Sequence, residues 1–499
     1  MSHGDQRAAL ERIAHDAMVA HGLDPDWPDE VRAELGRLPH PSDRGVKDLR
    51  DLPWSSIDNA DSRDLDQVEV TVTERGRTRL LIGLADVAAM VPRGSAIDSH
   101  ALKNTTSVYT PVRVFPMLPE ILSTDLTSLN VAEDRLAIVV DMAFDDLGGP
   151  TTSDVYRAQV RNRARLSYTD VAAWLEGRGA LPQSPLGPTL EDQLHVQDRL
   201  ATILRTRRHE DGALEFSRIE VKPRVDGTTV RELETDGPNR ARDLIESFMV
   251  AANGTTARFL SSRGFASIRR VVRSPARWSR IVEIAAAHGT ALPAEPDAPA
   301  LAAFLRTART AAPDAFADLS LSIIKLLGSG EYVANGPADP VGGHFALAVS
   351  NYTHSTAPNR RYPDLVTQRL VKAAAASEPP PYSLGDLTSL AAQCTRQEDA
   401  ATKVERLVRK AAAAMWLSDR IGDTFDAIVT GAGPKGTWAR ISYPPIEGRV
   451  EQGASGLDVG DAIRVKLVHV DPARGFIDFA AVERRPTAAV HGRHDESAL

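Results

Sequence analysis

Apolar residues recur at helical spacing from Gln6 to Ala20 and again from Asp29 to Leu38 after Pro28, with the turn-forming His21-Gly22-Leu23-Asp24-Pro25 between them. The pair reads either as a small helix-turn-helix unit or as a helical cap on the region that follows. Beyond residue 46 the pattern shifts toward period two. Val68-Glu69-Val70-Thr71-Val72-Thr73 alternates, and Arg79-Leu80-Leu81-Ile82-Gly83-Leu84-Ala85 is a buried-strand run, with Glu74-Arg75-Gly76-Arg77 as the hairpin turn. Leu136 to Met142 and Val155 to Val160 predict two more strands joined across Asp145 to Gly149. Asp243 to Leu260 is helical, as is the Ala-rich stretch 281–317 with its proline breaks. After the stiff loop Ser377-Glu378-Pro379-Pro380-Pro381, helices continue to about residue 418.

Residues 423–482 change character. Phe425 to Val429, Gly436 to Ile441, Glu447 to Val450, Ala462 to Val470 and Gly475 to Phe479 predict five short strands, which suit a small closed barrel of the OB type. A chain of 499 residues exceeds one ordinary core. The pattern divides it into a helical module (1–45), a mixed α/β region (46–420), a β-barrel (421–483) and a polar, disordered tail (484–499). The fold class is α+β.

Composition narrows the setting. No run of about 18 apolar residues is present, so no membrane-spanning helix is expected. The opening Met-Ser-His-Gly-Asp-Gln-Arg has no secretory core, and the single Cys394 allows neither an internal disulfide nor a thiolate cluster. The cytoplasm is the expected compartment. A net charge of −8 argues mildly against a polyanionic partner, but arginines cluster locally. Arg157, Arg161, Arg163 and Arg165 form one acid-free group, and Arg269, Arg270, Arg273, Arg277 and Arg280 another. Each reads as a solvated face or, with Arg360 and Arg361, as part of a positive channel.

The densest chemistry lies between Asp58 and Asp66, where Asp58, Asp61, Asp64 and Asp66 crowd one short loop after Leu52-Pro53-Trp54-Ser55-Ser56-Ile57. Close carboxylates repel, and a bound divalent cation with oxygen ligands relieves them. In an extended loop Asp64 and Asp66 share one side, and Asp58 can fold back toward them. Two adjacent metals held this way suit phosphoryl displacement. The alternative is a solvated acidic turn.

The loop sits in a wider pattern. Asp48-Leu49-Arg50-Asp51-Leu52-Pro53-Trp54, Ile57-Asp58 and Arg63-Asp64-Leu65-Asp66 resemble the opening motif of the RNase II/RNase R exoribonuclease family. Further blocks follow in the family's order: Leu84 to Val87, Thr106 to Tyr109, Pro116 to Glu120, Leu244 to Met249, Tyr352 to Ser355 and Pro358 to Asp364. The resemblance spans about residues 46 to 420, the family's RNB catalytic domain, with the barrel resembling its C-terminal RNA-binding OB domain. It implies a processive, Mg²⁺-dependent hydrolase, with Mn²⁺ as a possible substitute, that degrades RNA from single-stranded 3′ ends to nucleoside 5′-monophosphates. A monomer with no membrane partner is expected.

By the same resemblance Asp58, Asp64 and Asp66 hold metal, and Asp66 and Arg360 are catalytic, Arg360 by stabilising charge on the phosphate. Tyr109 and Phe216 match aromatic positions that sandwich terminal bases. Glu246 and Glu405 match positions beside the ribose 2′-OH. Arg361 is a further RNA-contact candidate, and Trp438 reads as either an RNA-stacking or a core residue. The chain departs from the family's pattern at Gln67, where another Asp is usual, and in having only about 45 residues before the catalytic region in place of tandem cold-shock domains. These departures keep open a second reading, a non-catalytic RNA-binding protein with a degenerate RNB domain. An aspartyl phosphatase built on Asp64 and Asp66 is disfavoured, because Asp61-Ser62-Arg63 is not an apolar strand end.

Overall fold

The computed structural model describes residues 6–485, apart from 39–40, 75–76, 146–148, 218–219, 227–228, 238, 314 and 340–342. The expected turn at Arg75-Gly76, the middle of the Asp145 to Gly149 connection and the expected disordered tail (beyond 485) therefore lie outside the described residues.

A seven-stranded sheet forms the centre of the mixed region. Its strands are β1 (Lys47–Asp48), β2 (Ser55–Asp58), β3 (Gln67–Glu74), β4 (Arg77–Ala85), β7 (Asp134–Phe144), β8 (Pro150–Arg161) and β9 (Ala164–Ser167), in the spatial order β1-β8-β7-β4-β3-β2-β9. The four long strands pair antiparallel, whereas β1 joins β8 and β2 joins β9 in parallel. Trp54, buried at the entry to β2, donates from Nε1 to the Leu49 carbonyl at 2.8 Å. Its indole is seated by Gly83 on β4: a Cβ there would stand 3.0 Å from Val68 Cγ2 and 3.6 Å from the indole. Burying such a side chain contributes about 2–3 kcal/mol, and it anchors the strand that ends at Asp58.

The alternation of β3 misleads in one respect. Period two would put Glu69 and Thr71 on a solvated face, yet both are buried with Gln67. The reason lies in the helices α4 (Tyr168–Leu175), α5 (Pro188–Glu210) and α6 (Arg240–Ser262), which cover that face. Gln193 of α5 accepts from the Thr71 amide at 2.7 Å and returns a bond to its carbonyl at 2.8 Å.

Between the N-terminal helices α1 (Gln6–Ala20) and α2 (Asp29–Leu35) and the rest of the chain there is close packing: α1 lies on α11 (Leu384–Leu417), and α2 on α3 (Ala96–Asn104). The short hairpin β5 (Val108–Tyr109) and β6 (Val114–Phe115) follows α3. A second hairpin comprises β10 (Glu220–Asp226) and β11 (Thr229–Asp236), and β12 (Ser267–Val271) pairs with β13 (Glu331–Asn335). The Ala-rich stretch resolves into α7 (Trp278–Ala287), α8 (Ala298–Ala311) and α9 (Phe316–Leu327), which share a separate apolar cluster. Helix α10 (Tyr362–Ala376) then leads to α11, whose start is capped reciprocally by Ser383 and Asp386.

The five C-terminal strands, β14 (Thr424–Gly433), β15 (Gly436–Ile441), β16 (Glu447–Gln452), β17 (Ala462–Asp471) and β18 (Phe476–Arg485), close into a barrel in the order β14-β15-β16-β18-β17. Gly448 is required at its tightest point, since a Cβ there would meet Phe479 Cε2 at 2.4 Å. The expected barrel is thus present.

Most guanidinia of the two arginine clusters hold the chain together. Arg157 pairs with the buried Asp86 at 3.3 Å, Arg161 with Asp134 at 2.5 Å, and Arg163 donates to the Arg50 carbonyl at 2.7 Å. In the second cluster Arg270 pairs with Glu398 and Arg273 with Glu331. Arg277 meets Asp458 at 2.8 Å, and Arg280 donates to the Val459 carbonyl at 2.7 Å, clasping the barrel to α7.

Candidate active site

The acidic loop bridges the end of β2 and the start of β3, and its shape is fixed from three directions. Asp58 Oδ1 accepts from the Asn59 amide at 2.7 Å and the Ser62 hydroxyl at 2.9 Å, a local turn of the kind Asp favours. Arg165 Nη2 bonds the Ala60 and Ser62 carbonyls at 2.8 and 2.5 Å, so the last arginine of the first cluster braces this loop. Leu65 is core; its amide donates to Ser128 Oγ and its carbonyl accepts from Leu129, both at 3.0 Å. Asp64 and Asp66 flank that anchor, with Asp66 buried and Asp64 half-buried. Asp61 is exposed.

A segment distant in sequence closes the site. The Asn359 amide donates to Asp66 Oδ1 at 3.1 Å and Arg360 Nε donates to Asp66 Oδ2 at 3.3 Å. Asn359 is itself held by the Thr127 hydroxyl at 2.6 Å, and the Arg360 carbonyl accepts from the Ser107 amide at 3.0 Å. The Arg360 side chain is 43% exposed, so a guanidinium beside the buried Asp66 is still open to an anion from solvent.

Burial pushes the Asp66 carboxyl up to about 7; Arg360 opposes the shift and Asp64 adds to it. Burial also raises Asp64, with Arg360 and the Tyr109 hydroxyl opposing and Asp58 adding. The negative charge here is therefore compensated only in part, the condition that a bound cation relieves. The donor set is entirely oxygen and suits a hard divalent ion. Among the described residues no three acidic, imidazole or thiolate side chains are drawn into a ready-made cation cage.

The other expected residues divide. Tyr109 stands beside the loop, 44% exposed, near enough to feel Arg360, Asp64 and Asp66. Glu405 on α11 accepts from the Tyr109 amide at 2.9 Å, so here it holds the hairpin. Arg361 turns inward, donating to the fully buried Asp364 at 2.8 Å, because a carboxylate buried there requires a cation. That pair anchors Arg361 in the strap beside Arg360. Phe216 is half-buried against the α7–α9 cluster. Glu246 is exposed on α6. Trp438 is half-exposed on β15, its ring over Gly431, where a Cβ would stand 3.3 Å from Cε3.

Two groups near the loop, Glu69 and Tyr168, were not among the expected site residues. Gln67, where the charge is missing, is buried at the start of β3, and Glu69 follows it on the same strand face. Burial first, then Asp58, holds the Glu69 carboxyl well above the ordinary range, opposed by the Ile57 backbone amide. Tyr168, the first residue of α4, senses both Asp58 and Glu69, and the Arg242 guanidinium lies 5.5 Å from its ring centroid. An acid between two valines was the signal for Glu69; only the helix layer over β3 shows that it is buried.

The family model described as "RNB domain" matches residues 46–377, and that of the "RNase II-type exonuclease C-terminal S1 domain" matches residues 423–482. Ribonuclease R of Vibrio parahaemolyticus is 29% identical over 513 residues, covering 94% of this chain and 60% of the relative. The chain thus spans about three fifths of that relative's length. A structure of Mycoplasma genitalium RNase R in complex with double-stranded RNA has 26% identity and a TM-score of 0.83, covering 95% of this chain and 83% of that one. Yeast Ssd1, a pseudonuclease, shares the fold at 18% identity and a TM-score of 0.67, over 94% of this chain and 58% of that one.

Proposed function

The chain belongs to the RNase II/RNase R family, and from that premise we propose that it is a processive 3′-to-5′ exoribonuclease that hydrolyses RNA to nucleoside 5′-monophosphates. One observation carries the reading: the half-exposed Arg360 guanidinium is joined to the buried Asp66 beside Asp64, which sets an anion-binding group against a cation-seeking pair. Asp58, Asp64 and Asp66 would hold Mg²⁺, replaceable by Mn²⁺. When bound, such ions activate water and neutralise charge on the scissile phosphate. Arg360 orients that phosphate and stabilises the charge that grows on it. Tyr109 stacks on a terminal base, which places no demand on base identity. The exposed Glu246 carboxylate accepts from a ribose hydroxyl, and Trp438 offers a second stacking surface on the barrel. The proposed substrate is a single-stranded 3′ end in the cytoplasm, met by a monomer.

Incubation of 5′-labelled single-stranded RNA with Mg²⁺ or with EDTA tests this. A metal-dependent ladder that shortens from the 3′ end is expected. Stable binding by folded protein without shortening at millimolar Mg²⁺ overturns the reading. That outcome favours a non-catalytic RNA-binding protein, a reading supported by Gln67 in place of a carboxylate and by the likeness to a pseudonuclease.

A further inference from the structure

The Tyr109 hairpin has two residues per strand, too few to be stable alone. Its order comes from outside. Val108, Val112 and Phe115 enter an apolar cluster whose other walls are Leu10, Ala14, Ala17 and Met18 of α1 and Val404, Val408 and Ala411 of α11. Helix α1 packs on α11, the helix that carries the hairpin, and shares this cluster with it, while the Glu405 bond to the Tyr109 amide fixes the hairpin to α11.

The same N-terminal segment grips the strap behind Arg360. The Asp24 amide donates to Asn104 Oδ1 at 2.8 Å, and Asn104 Nδ2 returns a bond to the Asp24 carbonyl at 2.9 Å. Gln397 on α11 ties Gly22 to Lys103 through their carbonyls, at 3.3 and 2.6 Å, and Trp27 stacks on His100 with centroids 4.3 Å apart. Glu34 of α2 accepts from the Ile97 amide at the start of α3, at 3.1 Å. From the end of α3 the chain passes through Thr105, in the left-handed region at φ 58°, to Thr106 and Ser107, both of which bond the Arg360 carbonyl.

We propose that the N-terminal helices are a positioning element of the catalytic site: by seating the Tyr109 hairpin on α11 and α3 on the Arg360 strap, they set where shortening of the RNA stops. This rests on the exoribonuclease reading above. Helix α1 touches no reacting atom; it acts through Tyr109, so its loss is read in the last nucleotides held and not in the chemistry on long RNA.

The test compares full-length Leu10→Ala/Met18→Ala with Leu301→Ala/Leu305→Ala, a pair of equally buried leucines in α8 remote from the hairpin. On long 5′-labelled single-stranded RNA both should shorten substrate at the wild-type rate. The α1 variant should leave a limit product longer by about one nucleotide or more, with KM for short oligoribonucleotides raised on the order of tenfold, the loss of one stacked base. Hydrogen exchange in residues 107–117 should also accelerate in the α1 variant only. An unchanged limit product with unchanged exchange, or the same changes in the α8 control, overturns the inference. If the wild-type protein fails to shorten RNA at all, the exoribonuclease reading falls separately. The hairpin exchange then still decides whether α1 orders Tyr109.

Discussion

Arg360 and Asp66, 294 residues apart in sequence, meet at 3.3 Å, while the neighbouring Asn359 amide takes the other oxygen of the same carboxylate at 3.1 Å. The two bonds fix the carboxylate plane and make Asp66 the hinge between the acidic loop and the strap before α10. A residue tied so closely to both sides is the natural place to separate chemistry from folding.

Asp66→Asn keeps the volume and one acceptor oxygen, so hydrolysis should be abolished while RNA binding persists. Filter binding beside the degradation assay checks this. Equal loss of both would mean that the site had collapsed.

The pH dependence of the same variant has a definite sign. Burial raises the Asp66 carboxyl to about 7, so the stability tied to its neutral form is complete below the unfolded value near 4 and is lost as pH climbs through 7. In metal-free protein, Asp66→Asn should therefore gain stability over wild type between pH 5 and pH 8, by no more than about 4 kcal/mol at the upper end, seen as a rising Tm difference. Added Mg²⁺ should stabilise wild type more at pH 8 than at pH 6, since cation and proton compete for the carboxylate. A Tm difference that shrinks with rising pH would contradict the assignment.

Arg360→Lys retains charge but loses the planar fork. The rate on long RNA should fall on the order of a hundredfold, about 3 kcal/mol of transition-state stabilisation, with binding weakened far less. Single-turnover kinetics measure it directly. A rate within a few-fold of wild type would remove Arg360 from the chemistry.

Glu69 and Asp364 are equally buried yet should respond oppositely to loss of charge. Glu69 is held neutral by burial, so Glu69→Gln should change stability by less than about 1 kcal/mol at neutral pH. Asp364 is the counter-ion of Arg361, and Asp364→Asn should cost about 3–5 kcal/mol. Denaturant unfolding of the two variants provides the comparison, and a large loss at Glu69 would show that it carries charge.

Tyr109→Ala removes a stacking surface and no ionisable ligand. The limit product should lengthen while the initial rate on long RNA stays near wild type. An identical end-product would exclude Tyr109 from the base clamp.

Much of this was legible in the residues. The helix at Gln6–Ala20, the strand runs around β3, β4, β7 and β8 and the five-stranded barrel follow from periodicity and turn chemistry. The acidic loop and Arg360 were brought together by family resemblance, since nothing local to Asp58–Asp66 points to a partner near residue 360. The sequence misled where a role depends on what lies overhead. Glu69 alternates as a surface residue does, but helix α5 packs over its strand. The arginine groups, free of acids along the chain, find their partners across it.

Helix α11 spans 34 residues without a break, about 50 Å at the usual rise. Near its middle Glu405 holds the hairpin of Tyr109; at its end Ala413, Ala414 and Leu417 are part of the barrel core. The Tyr109 hairpin and the barrel are thus mounted on a single rod. Their separation is a fixed span and not an adjustable one, so on the proposed function the shortest RNA able to engage both is decided by the pitch of one helix. A substrate below that length would lose its second foothold all at once, and grip should fall in a step rather than gradually as the strand is consumed.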